Sequence, residues 1–192
     1  MLATHAPPVL AALLTIVGFL PAAGAGKLCA YTNANSNSAE ELISSGAVSL
    51  GSSDLELLTD SGLQFVAIVI PSVGLRRQDA AQLLAAADTH LTLTIDETPS
   101  RSSDPITMRI YGEVSDAPAA QPSGAQYDLT SRARTSAFVD WNPEPSPSVG
   151  ALLSTPDISA IIAEIIDRDH WDFGDPIAIL SRRKSAAVTA SR

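Results

Sequence analysis

The sequence predicts a mainly β protein, an antiparallel β-sandwich of short strands with one amphipathic helix near its C-terminus. Three observations carry this. Short apolar–polar alternations recur between Gly-, Ser- and Pro-rich breaks, the pattern of strands with one face on a core. One run, QFVAIVI at residues 64–70, is almost wholly apolar and reads as a strand buried on both faces. Residues 156–168 place Ile158, Ile161, Ile162, Ile165 and Ile166 at helical spacing, behind Thr155-Pro156-Asp157. Those three residues supply a capping oxygen, a proline for the first helical position and an acid for the positive end of the macrodipole.

From the N-terminus, residues 8–20 form an apolar run too short to cross a bilayer comfortably. Ala23-Gly24-Ala25 then fits a small-residue cleavage pattern, with the cut between Ala25 and Gly26. Residues 1–25 are accordingly expected to be a signal peptide and the protein to be secreted, with no membrane association after leader removal. A polar lead-in, 26–38, precedes one sandwich domain over 39–181, and 182–192 form a disordered basic tail. Within 40–63, alternations split by Gly-Ser-Ser and Asp-Ser-Gly predict two short strands. Pro71 ends the next strand, 64–70. Residues 77–88, rich in Ala and Leu with an acid near the start, predict a short surface helix. Segments 90–96 (HLTLTID) and 106–114 (ITMRIYGEV) alternate cleanly and predict half-exposed strands joined by a polar connection. Residues 137–139 predict a further short strand, and 140–147, with three prolines, an extended loop. After the helix, Trp171 to Pro176 turn the chain into an apolar run at 177–180.

A chain of 192 residues, 45% hydrophobic, suffices for one domain with a real core. A formal net charge of −9 argues against nucleic acid and against anionic membrane surfaces. Cys29 is the one cysteine, so no internal disulfide can form. His5, His90 and His170 do not cluster, no nucleophile motif is present, and no catalytic residue is assigned. Asp54 and Glu56 fall on one face of a strand and Asp96-Glu97 at a strand end, where they could hold calcium. A solvated face is the plainer reading of these acids, because no calcium loop of defined spacing accompanies them. Aromatic residues are only 5% of the chain. Trp141 and Asn142 in the proline-rich segment, with Tyr111, are the ligand-facing candidates, a packing role for Trp141 being equally consistent. Trp171 is expected to lie as a lid on the core.

Five segments appear in order: SSDLEL (52–57), TIDE (94–97), IYGE (110–113), SRARTSAFVDW (131–141), and TPDISAIIAEIIDRDHW followed by GDPIAI (155–179). Together they resemble a secreted, jelly-roll-like domain of the DNRLRE type found in environmental bacteria and some algae. The resemblance implies a jelly-roll-like sandwich and, by association with adhesion and carbohydrate-active modules, a non-catalytic binding or adhesion role. An extracellular polysaccharide or cell-surface component would be the partner. A glycan-active hydrolase, or a fragment of a larger carbohydrate-active protein, is the alternative. The chain departs from the pattern twice. Residues 77–88 replace a tight turn, and the tail from Ser181 replaces a glycine-rich hairpin and closing strand. A C-terminally truncated domain would leave an unpaired edge available for self-association.

Overall fold

The computed structural model describes residues 12–17, 27–32, 37–50, 62–95, 106–115, 121–143 and 148–184. They form two antiparallel sheets with few helices. The strands are β1 (Ala12–Val17), β2 (Lys27–Tyr31), β3 (Ser38–Leu42), β4 (Ala47–Leu50), β5 (Gln64–Ile70), β6 (Thr89–Thr94), β7 (Met108–Glu113), β8 (Arg134–Trp141), β9 (Leu152–Ser154) and β10 (Ile177–Arg183). The helices are α1 (Ala80–Ala86), α2 (Asp128–Ser131) and α3 (Ser159–Ile166). One sheet has the order β2-β1-β6-β9, the other β4-β3-β5-β10-β7-β8. Leu14, Leu91 and Leu93 of the first share a core with Ile68, Ile70, Met108, Ile110, Trp141, Ile177 and Ile179 of the second.

The strands expected at 64–70, 90–96 and 106–114 are met by β5, by β6 at Thr89–Thr94 and by β7 at Met108–Glu113. β5 lies between β3 and β10 with Phe65 to Ile70 all buried. β6 buries Thr89, Leu91 and Leu93 and leaves the residues between them half-buried. The pair of short strands expected in 40–63 is partly met by the β3–β4 hairpin, whose turn holds Gly46 at a φ of +69°. Only glycine fits there, because a Cβ would also stand 2.4 Å from the Tyr127 ring.

Several elements differ from expectation. Ala12–Val17, inside the run expected as a leader, is β1 and pairs with β2 on one side and β6 on the other. β8 is longer than 137–139 and carries Asp140 and Trp141 as ladder residues rather than loop residues. β10 extends the expected 177–180 strand to Arg183, taking in Arg182 from the expected tail, and is central, between β5 and β7, rather than at an edge. α3 begins three residues after Pro156, because Asp157 and Ile158 are spent on β6. The Asp157 carboxylate accepts the amides of Thr89 (2.9 Å) and Ser159 (3.1 Å), and the Ile158 amide donates to Thr89 O at 2.8 Å. Six of its eight residues are buried. As expected, Trp171 closes the core, its indole N–H donating to Leu75 O at 2.9 Å.

The register between β7 and β8 shifts between Tyr111 and Glu113. The irregularity leaves backbone donors that side chains take up. Thr135 Oγ1 accepts the Gly112 amide at 2.9 Å, and Glu164 of α3 accepts those of Ser136 and Ala137. Helix and strand come this close because residue 112 has no side chain: a Cβ there would lie 2.4 Å from Ile165 Cδ1.

Candidate ligand-binding face

The face of the six-stranded sheet turned away from the shared core is covered at one end and open at the other. The cover is the segment around α2, whose Leu129 seats on Ala39, Phe65, Ala67 and Leu180. Buried Glu41 fixes it, its carboxylate accepting from the amides of Leu129 (2.7 Å) and Thr130 (3.1 Å) and from Thr130 Oγ1 (2.5 Å). Arg132 adds ion pairs to Glu113 at 2.8 Å and Asp128 at 3.2 Å, with side chains mostly shielded from water. Burial lowers the Arg132 pKa, and hydrogen bonding to Asp128 with the charges of Glu113 and Asp128 outweighs it, so the net shift is upward.

The cover thins at Arg134. Its guanidinium lies over the rings of Phe65 (5.1 Å) and Tyr111 (5.7 Å), and one amino group donates to Thr130 O at 2.8 Å. Its buried Nε has no hydrogen-bond partner among the described residues, and the adjoining ring faces give that N–H an apolar seat.

Beyond Arg134 the face is open. Cross-strand pairing sets Phe138 opposite Tyr111 and Asp140 opposite Arg109. The two rings are 6.0 Å apart and tilted by 50°. Arg109 lies over the Phe138 ring at 4.0 Å while its Nε and Nη2 reach Asp140 at 2.6 and 2.9 Å. Lys184 Nζ adds a third contact to Asp140 at 2.9 Å. Hydrogen bonding to Arg109, then to Lys184, holds the Asp140 carboxyl well below the usual carboxylate range, and Asp140 in turn raises Arg109. Arg182 of β10 stands opposite Arg109 on its other side and is exposed. Phe138 is 47% exposed. The result is a tilted aromatic pair, Phe138 half-exposed with Arg109 over its ring and held there by a bidentate ion pair, beside further cationic groups.

The sequence candidates are not brought together. Tyr111 is part of this face, half-buried under Arg134. Asn142, one residue past β8, is exposed. Trp141 points the other way: it is 8% exposed and belongs to the core between the sheets, because strand alternation sets it opposite in direction to Asp140. The calcium candidates Asp54, Glu56, Asp96 and Glu97, and the cleavage pair Ala25 and Gly26, lie outside the described residues. Among the described residues no three His, Cys, Asp or Glu side chains are grouped to hold a metal. His90 bonds Thr155 O at 2.8 Å and Asp88 at 2.9 Å, a structural tie between β6 and the approach to α3. Space between the sheets, lined by Ile68, Leu91, Met108 and Trp141 among others, amounts to about 10 Å³, room for one water.

Arg109, Phe138, Asp140, Arg182 and Lys184 went unrecognised in the sequence. The signal for Arg109 is the alternation of 106–114, which sets it on the same face as Tyr111. Phe138 and Asp140 follow once the last strand of that segment is extended through Trp141.

No family model matches this chain, and neither a curated protein nor a solved structure matches it.

Proposed function

We propose that the protein is a secreted, non-catalytic binding or adhesion module, a jelly-roll-like sandwich with amphipathic α3 at its C-terminal end, that presents the open face of β7 and β8 to an extracellular glycan. The observation carrying this reading is Phe138, a half-exposed ring on a sheet, oriented by Arg109 and neighboured by Tyr111. Sugar rings stack on such surfaces, and a platform on paired strands loses little entropy on binding. The apolar run at 8–20 and the Ala23-Gly24-Ala25 pattern are what support export, and cleavage after Ala25 would leave the exported form without β1. The binding reading is preferred to hydrolysis because Asp140, the carboxylate on this face, is held ionised by two cations and is poorly suited to protonate a leaving group.

A glycan array run beside a hydrolysis screen tests this. Binding should fall with Phe138→Ala and persist with Phe173→Ala, which removes a still more exposed ring elsewhere (65% exposed). Turnover abolished by changing a single carboxylate would overturn the binding reading in favour of a hydrolase.

A further inference from the structure

Resting on that reading, we propose that the polysaccharide this face takes carries sulfate esters. The chain as a whole has a net charge of −9, yet its open face gathers Arg109, Arg182 and Lys184 around one carboxylate, Asp140. Arg109 and Arg182 are direct cross-strand partners, so two cationic side chains leave the same face from strands roughly 4.8 Å apart, Arg109 leaning to Asp140 and Phe138 on β8. Like charges so placed repel. Asp140 engages Arg109 and Lys184, and Arg182 has no carboxylate partner among the described residues. Asp140 offsets Arg109, and an anion reaching Arg182 beside it would offset the rest.

The geometry selects the kind of anion. A carboxylate bonded directly to a sugar ring presents two coplanar oxygens, which suit one guanidinium fork at a time. A sulfate ester hangs from a flexible C–O–S link and presents three oxygens in different directions. It can reach guanidinium groups of two strands while its sugar ring rests against the exposed part of Phe138, one side of which Arg109 covers at 4.0 Å. A sulfate monoester also stays charged at every physiological pH.

The test measures binding of the full chain to dextran sulfate, unmodified dextran and polygalacturonate at low ionic strength, each variant being checked for native circular dichroism. Dextran sulfate should bind about tenfold more tightly than either other polymer, and Arg182→Gln should weaken it about tenfold. Arg77→Gln, which removes a cation paired with Asp167 and Asp169 away from this face, should leave binding unchanged. Equal losses from Arg77→Gln and Arg182→Gln would mean diffuse attraction and overturn the proposal. Tighter binding of polygalacturonate, or equal binding of dextran that still depends on Phe138, would overturn the sulfate assignment and leave the glycan-binding reading standing. Failure to bind any of the three, together with a blank glycan array, would remove both.

Discussion

The carboxylate of Glu164, on α3, accepts the backbone amide of Ala137 at 2.8 Å and so ties a buried helix to the bulged part of an edge strand. The same group takes the Ser136 amide at 2.7 Å and its hydroxyl at 3.0 Å. Three donors on one carboxylate leave little for water to do. Glu164→Ala should therefore lower stability by about 1–3 kcal/mol, because a half-buried amide loses its acceptor. Urea denaturation checks it, and an unchanged midpoint would mean the bulge holds without the helix.

Glu164 and Asp157 also set an acid limit. Burial raises the pKa of each, but the Ala137 and Ser136 donors outweigh it for Glu164, and those of Ser159 and Thr89 outweigh it for Asp157, so both are shifted down. A carboxylate with a depressed folded-state pKa adds stability in full above its unfolded value, about 4, and loses it as pH falls through the folded value. Tm should be nearly flat from about pH 7 to 5 and drop below about pH 4. Glu164→Gln and Asp157→Asn should each flatten that drop in thermal melts across pH.

Gly112→Ala should be costly although its position lies inside a strand, where alanine is normally tolerated. The added carbon would stand 2.4 Å from Ile165 Cδ1 and 2.9 Å from Ile161 Cγ2, so α3 must shift or the strand must bend. A loss of roughly 1–3 kcal/mol is expected in chemical denaturation. The double variant Gly112→Ala, Ile165→Val should recover part of it if the clash is the cause.

A chain beginning at Gly26 lacks β1 and with it Leu14, which is wholly buried beside the β6 leucines. Losing one such side chain is worth about 2 kcal/mol, before counting the ladder to β6. That chain should melt roughly 5 °C or more below the full-length chain in calorimetry. Equal melting would show that β6 needs no neighbour on that side.

Local pattern made part of this fold legible. β6 and β7 could be read because each keeps a two-residue alternation over six residues, β5 because its run is apolar throughout, and the Ala- and Leu-rich α1 because its composition favours a helix. β9 could not, since three residues carry no period and its place comes from pairing Leu153 with Leu93. Asp140 looked like the start of a loop because an acid followed by prolines usually is one. Only Arg109 across the ladder makes it a strand residue. The same distant partner hid the binding face: Arg109, Phe138 and Arg182 lie on three strands and converge only through register. For β1, an apolar run of leader-like length has the same composition as a buried strand, so its pairing with β2 and β6 could not be read from the residues alone.

The bulge in β8 also bears on how copies of this chain could join. A strand adding to the six-stranded sheet beside residues 136 and 137 would meet a carboxylate already bonded to the amides it needs. Growth by strand addition is therefore blocked at this stretch of the sheet, whatever happens at β4 on the opposite edge. Glu164 thus acts as a guard on this part of the β8 edge, occupying from within the molecule the donors that a second chain would seek.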